Sequence, residues 1–427
     1  MRIKKILENK TVKNANWLIG GKIIQMILSL FIGLITARYL GPSNFGLINY
    51  AAAYTTFFAS LCTLGLNGVL VKELVDHPDS EGEIVGTAIV MREFSSFFSF
   101  LTIIGCSMIL DGPNKLTITV VVLCNVSLLF QVFDTFNYWF QAHLLSKYTA
   151  ISTLIAYISV SVYRLVLLMS GLDIRWFAFA NSVDYIVVAI SLLYLYKKCS
   201  KQKLTFSKVR AKSMIRKSYH FILSGLMISI YNSSDRLMLK QMMTAESVGY
   251  YSTAVTICTM WAFILMAIID SLTPNIMMNF KTDYEKYKKR NKQLYAIVFY
   301  MSVFVSLFLC VFAKMIIQIL YGAEYLPAVQ PLRVITWYVA FSYLGSARDA
   351  WAVCEDKQRY LKYIYMFAAV ANVGLNALFI PKWGATGAAF ASLLTQICTC
   401  LIFPALLKPL RENSKLMIES IFLKGVF

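Results

Sequence analysis

The sequence predicts an all-α integral membrane protein of about twelve transmembrane helices, built as two six-helix lobes. Three observations carry this. Hydrophobic residues make up 58% of the 427 and charged residues only 15%, where a soluble domain holds about 25% charged. Apolar runs recur at roughly the 20 residues needed to cross a hydrocarbon core of about 30 Å. Between the sixth and seventh of these runs, residues 197–217 carry nine Lys or Arg and no acid. Such a run cannot lie in hydrocarbon, and juxtamembrane Lys and Arg are held on the cytoplasmic side.

The spans fall near 15–38, 45–71, 84–110, 116–140, 149–170 and 174–196, then 218–242, 248–272, 293–320, 330–352, 360–380 and 384–407. Loop chemistry separates several of them: Gly41-Pro42-Ser43-Asn44, Asp111-Gly112-Pro113-Asn114, Ser170-Gly171-Leu172-Asp173 and Pro381-Lys382-Trp383-Gly384. The basic start (Arg2, Lys4, Lys5, Lys10, Lys13) precedes a span too long for a signal-peptide core, so it reads as an uncleaved first helix.

With the amino end inside, Lys and Arg gather on the inner segments. The outer loops and adjoining span ends hold Arg38, Lys115, Arg175, Arg333 and Lys382. That asymmetry places both termini in the cytoplasm. One inner loop, Asp76 to Glu83, is acidic instead. Trp17, Trp139, Trp176 and Trp383 stand at span ends, as an aromatic belt predicts. The organisation is then an amino-terminal lobe (1–196), a basic cytoplasmic linker (197–217), a carboxy-terminal lobe (218–407) and a cytoplasmic tail (408–427).

The halves echo one another. Gly46-Leu47-Ile48-Asn49-Tyr50-Ala51 follows the first span as Gly249-Tyr250-Tyr251-Ser252-Thr253-Ala254 follows the seventh. Ala178-Phe179-Ala180-Asn181-Ser182 in the sixth is matched by Ala389-Phe390-Ala391-Ser392 in the twelfth. This is a parallel repeat, and repeated halves place substrate at their interface.

A net charge of +19 raises nucleic acid first, but here the basic residues punctuate apolar spans, which argues for a bilayer and against nucleic acid. The nine cysteines (Cys62, Cys106, Cys124, Cys258, Cys310, Cys398 and Cys400 among them) form no CxxC and read as packing residues. His77, His143 and His220 suggest no metal cluster. No nucleotide loop, zinc helix or nucleophile elbow occurs, and Gly20-Gly21-Lys22 lacks the upstream glycine of a phosphate loop. No cofactor is implied, and any transport would draw on a gradient.

Charges inside spans are costly and must face protein or water. At about 1.5 Å per residue, Lys22 lies roughly 10 Å from the inner end of its span, Arg92 and Glu93 about 12 Å, and Asp134 about 9 Å. Arg164 and Asp184 lie deeper, at roughly 22 and 18 Å. Lys22, Arg92 and Arg164 form a cationic ladder suited to a diphosphate headgroup; the alternative is that Arg92 pairs with Asp134 and Arg164 with Asp184 as structural ion pairs. Asp134, Asn137 and Gln141 share one face and could line a sugar path or hold helices together. Asp184 and Asp235 are candidates for ion coupling. Arg236 adjoins Asp235 in the most polar stretch of any span, while Arg348 and Asp349 lie near an inner end, where a gate would sit.

Three motifs in order bring a family into view. Arg38-Tyr39-Leu40-Gly41-Pro42-Ser43-Asn44-Phe45-Gly46 resembles the first-loop signature of the Wzx-type O-antigen and repeat-unit flippases of polysaccharide transport. Asn232-Ser233-Ser234-Asp235-Arg236 with Glu246-Ser247-Val248-Gly249-Tyr250-Tyr251 is similar to the family's seventh-to-eighth span signature. Asn372-Val373-Gly374-Leu375-Asn376 running into Ile380-Pro381-Lys382-Trp383-Gly384-Ala385-Thr386-Gly387-Ala388-Ala389 is similar to that of its last two spans. The resemblance implies the V-shaped, two-lobed fold of the multidrug/oligosaccharidyl-lipid/polysaccharide exporter superfamily. It implies a non-enzymatic flippase moving an undecaprenyl-diphosphate-linked oligosaccharide from the inner to the outer leaflet of a bacterial plasma membrane. Its partners would be a coupling proton or sodium ion and the polymerase and glycosyltransferases of the same pathway. A drug or cation antiporter of the superfamily would favour acids over bases in its lobes. A membrane enzyme would need a large outer loop, and every outer loop here is short.

Overall fold

The computed structural model describes the backbone of residues 10–200, 202–280 and 282–426, with the side chains from Leu28 onward within these ranges and that of Gln25. Every regular element among them is helical. The chain divides into two compact units. One holds the residues up to Leu40 with Leu47–Ser229, the other Gly41–Gly46 with Ile230–Phe427.

The first unit contains most of α1 (Lys10–Thr63), then α2 (Asn67–Asp76), α3 (Glu81–Leu110), α4 (Lys115–Asn125), α5 (Ser127–Gln131), α6 (Thr135–Ala142), α7 (Ser146–Met169), α8 (Ile174–Cys199) and the start of α9 (Lys208–Met242). The second continues α9 and adds α10 (Ala245–Thr259), α11 (Phe263–Phe280), α12 (Tyr284–Leu320), α13 (Val329–Ile335), α14 (Tyr338–Cys354), α15 (Leu361–Ile397), α16 (Phe403–Leu406) and α17 (Arg411–Ile421). Among the described residues, eight stretches are long and apolar enough to cross a membrane. Two of these, Leu28–Asp76 and Gln358–Leu406, each hold two of the expected spans.

Two expected loops prove to be kinks. At Gly41 (φ 68°, ψ 170°) and Gly384 (φ 53°, ψ −128°) the helix breaks for one residue and resumes. Only glycine takes such angles without a Cβ penalty, and Pro42 starts the resumed helix where no donor is needed. The span expected over 116–140 stands as one apolar stretch, Lys115–Ala142, but its helix is interrupted at Val126 and tightens over Val132–Asp134, between α5 and α6.

The paired glycines of the sequence echo meet within the second unit. A Cβ on Gly46 would stand 1.8 Å from the Ala245 carbonyl oxygen, and one on Gly249 would stand 2.1 Å from that of Pro42. Ala245 precedes Gly249 by four residues, as Pro42 precedes Gly46. The contact is therefore self-complementary, as at a two-fold axis.

The acidic loop finds its reason in the basic linker. Residues 202–207 lie across the first turns of α3, with the Gln202 side chain accepting from the Gly82 amide at 2.8 Å and the Ser207 amide donating to Thr87 Oγ1 at 3.0 Å. Arg210 reaches Glu73 at 3.4 Å and Glu83 at 3.5 Å, and Lys217 pairs with buried Glu73. Trp139, expected in a lipid-facing belt, is buried instead because its indole donates to Glu81 at 2.8 Å. Trp176 and Trp383 are exposed, and Trp17 lies outside the described side chains.

Gly249→Val should force the α10 backbone away from Pro42 and cost about 1–3 kcal/mol, the usual range for overpacking. Thermal unfolding of the purified protein checks this, and an unchanged midpoint would contradict the contact.

Candidate functional site

Arg92, on α3, is 1% exposed. The tight turn at Val132–Asp134 frees backbone carbonyls, and the guanidinium takes up one of them: Nη2 donates to the Gln131 carbonyl at 3.2 Å. Nη1 donates to Thr135 Oγ1 at 2.8 Å, and that hydroxyl in turn donates to the Val132 carbonyl at 2.7 Å. Arg92 Nε is buried without a described partner. Asp134 lies within electrostatic reach of Arg92 but forms no ion pair with it among the described residues. Asn137 donates to Asp134 at 3.3 Å, while Gln141 is exposed. Lys22 stands on α1, and its side chain lies outside the described residues.

Arg164 and Asp184 sit differently. Both line a cavity of about 200 Å³ inside the first unit, walled by Ser29 and Ile32 of α1, Tyr157, Val160 and Ser161 of α7, and Ala180 and Asn181 of α8. Arg164 Nη2 donates one long hydrogen bond, 3.4 Å, to Asn181 Oδ1. Asp184 Oδ1 is buried with no described partner. These two charges feel each other electrostatically without closing to an ion pair. Of the expected cations whose side chains are described, Arg164 is the one that faces open space in this unit. Tyr157, Ser161 and Asn181 join the site although the sequence reading does not single them out for it. Helical spacing offered the signal: Tyr157, Ser161 and Arg164 recur at i, i+4 and i+7, and Asn181 precedes Asp184 by three.

In the second unit Asp235 is 7% exposed and fully engaged. Tyr251 of α10 donates to Oδ2, Ser392 of α15 donates to Oδ2 at 2.7 Å, and Asn376 of α15 donates to Oδ1 at 2.6 Å. Asn376 and Ser392 lie on opposite sides of the Gly384 kink, so one carboxylate holds both arms of α15. Ser234 donates to Asn372 Oδ1 at 2.6 Å, and Arg236 donates to Ser252 Oγ at 3.1 Å. Arg348 is buried. It binds Asp349 at 2.8 Å and donates to the Thr399 carbonyl at 2.7 Å. Thr399 lies in a widened turn, Cys398–Ile402, of the kind that leaves carbonyls needing donors. Tyr365 completes the group by donating to Asp349.

No cluster of three His, Cys, Asp or Glu able to hold a metal occurs among the described residues, and the nine cysteines are free thiols. In the first unit, Arg164, Asp184 and Asn181 stand between helices at the wall of the cavity, where they can meet polar cargo.

Residues 11–280 match the family described as polysaccharide biosynthesis protein. The chain belongs to that family. Among relatives of this family member, a Shigella flexneri protein described as "Putative O-antigen transporter" is 21% identical over 92% of this chain and 96% of its own length. An uncharacterized membrane protein of Methanocaldococcus jannaschii is 19% identical over 90% of this chain and 81% of its own. Among solved structures, an inward-facing multidrug resistance MATE family transporter of the MOP superfamily has a TM-score of 0.70 at 16% identity, covering 92% of this chain and 95% of that one. The lipid II flippase MurJ, in an inward closed conformation, also reaches 0.70, at 14% identity, covering 95% of this chain and 91% of that one. The family member is thus a multi-pass membrane protein with the fold of the MOP-superfamily transporters.

Asp235→Ala orphans three donors at once, each costing about 1–3 kcal/mol when left unpaired. The purified variant should unfold at a clearly lower temperature than wild type, with Asp235→Asn intermediate. Wild-type melting of the alanine variant would contradict the network.

Proposed function

We propose that the protein is a flippase that moves an undecaprenyl-diphosphate-linked oligosaccharide repeat unit from the inner to the outer leaflet of a bacterial plasma membrane. The observation that carries this reading is the cavity holding Arg164, Asn181 and Asp184 within the apolar spans. Charges at that depth are retained for polar cargo or ions. Membership of the polysaccharide biosynthesis family supports a saccharide as that cargo.

In this reading the cargo enters from the cytoplasmic leaflet, Lys22, Arg92 and Arg164 offset its charge, and access alternates between the two faces. Arg92 is sealed by the protein in the present conformation, so Arg164 is the cation presented to cargo. A proton or sodium gradient drives the cycle through the buried carboxylate Asp184, while Asp235 ties the helices of the second unit together. Arg236, Arg348 and Asp349 hold the carboxy-terminal helices in register while this happens. Both termini stay in the cytoplasm, where the pathway's glycosyltransferases deliver the completed unit; the polymerase receives it outside.

Deleting the gene in its host should trap completed lipid-linked saccharides on the cytoplasmic face and abolish surface glycan, as read by leaflet-resolved lipid analysis. Arg164→Gln should lower surface glycan on the order of tenfold, the equivalent of one charge-assisted hydrogen bond, and Arg164→Lys should lower it less. Normal surface glycan after deletion, with altered drug sensitivity, would instead indicate a drug or cation antiporter; the MATE neighbour is described as a multidrug resistance transporter.

A further inference from the structure

The cavity in the first unit has a chemical signature more specific than its position. Asp184 Oδ1 is buried and unpartnered. A carboxylate oxygen accepts only, so it is open to a hydrogen-bond donor, and to the coupling cation or proton when no cargo is bound. Arg164 donates only, and its one described hydrogen bond is long, so its missing partner must be an acceptor. A phosphate offers acceptors to Arg164 but sets its own charge against Asp184; an ammonium does the reverse. A hydroxyl-bearing ring supplies donors and acceptors on adjacent carbons with no net charge. Ser161 and Asn181 add hydrogen-bonding groups of both kinds, and the Tyr157 ring supplies a flat apolar wall.

Size agrees. The cavity offers about 200 Å³. It falls below the range of about 300–1,000 Å³ that drug-sized ligands occupy. A single ring matches a cavity of that size.

We propose that this cavity is a subsite for a single neutral monosaccharide ring, gripped by Asp184 and Arg164 against Tyr157, while the diphosphate is held elsewhere. This rests on the reading of the cargo as a lipid-linked saccharide. It turns Arg164 from a phosphate contact into a hydroxyl contact, and it makes the subsite a point where the protein selects among repeat units by one of their sugars.

The test is saturation-transfer NMR on the full-length protein in nanodiscs, with a panel of methyl glycosides of common hexoses and N-acetylhexosamines, and with pyrophosphate as competitor. At least one glycoside should contact the wild type. Binding should weaken about tenfold in Asp184→Ala, as expected for one lost charge-assisted partner. It should vanish in Ser161→Phe, which fills the cavity; wild-type-like melting of that variant shows that it folds. Pyrophosphate should not compete. The proposal is overturned if no glycoside contacts the wild type more than Ser161→Phe, or if pyrophosphate displaces the glycoside. The same variant in the deletion strain separates the two readings. If deletion abolishes surface glycan but Ser161→Phe restores it fully, the subsite fails and the flippase stands. If deletion leaves surface glycan intact, the flippase reading fails whatever the glycosides do.

Discussion

A charge or amide buried among apolar helices has no water to fall back on, so each must be answered by protein or by cargo. That constraint organises both units. Asp235 is answered three times over, by Tyr251, Asn376 and Ser392, and so ties three separate stretches of chain together. Arg92 and Arg348 are each answered in part by a backbone carbonyl, at a place where the helix departs from regular hydrogen bonding, and otherwise by Thr135 and Asp349. Asp184 is left unanswered on one oxygen, beside a cavity. The contrast between satisfied and unsatisfied buried charge is what separates framework from site.

The same constraint gives the sequence motifs a physical meaning. The first-loop motif ends at Gly46, which lies against the backbone of Ala245 at the edge of the second motif. The second motif supplies Asp235 and Tyr251, and the third supplies Asn376 just ahead of the Gly384 kink, with Ser392 just beyond it. Segments up to some two hundred residues apart thus converge on a glycine contact and a carboxylate. Residue types there are fixed by clearance and by donor count rather than by contact with cargo.

Much of the helical plan was legible because span length and charge asymmetry are imposed by the bilayer. That Arg164 and Asp184 stand on neighbouring spans was legible from the sequence, and both line one cavity. What periodicity could not give was satisfaction. Arg92 and Arg164 look alike in sequence, yet one is closed by a distorted turn at Val132–Asp134 and the other opens on a cavity, and that distortion has no local sequence mark. Nor does charge counting reveal that the acidic loop answers the linker, because Glu83 and Arg210 stand 127 residues apart. The loops expected at Gly41 and Gly384 became kinks because helix resumes after a single left-handed glycine.

The central claim is that the polar interior of the first unit handles a saccharide carried on a lipid. The most direct measurement is transbilayer movement of a lipid-diphosphate-linked oligosaccharide in proteoliposomes, scored by access of an external glycosidase over time. The account predicts protein-dependent movement that Arg164→Gln slows. Movement equal to that in protein-free liposomes, under an imposed proton or sodium gradient, would contradict it.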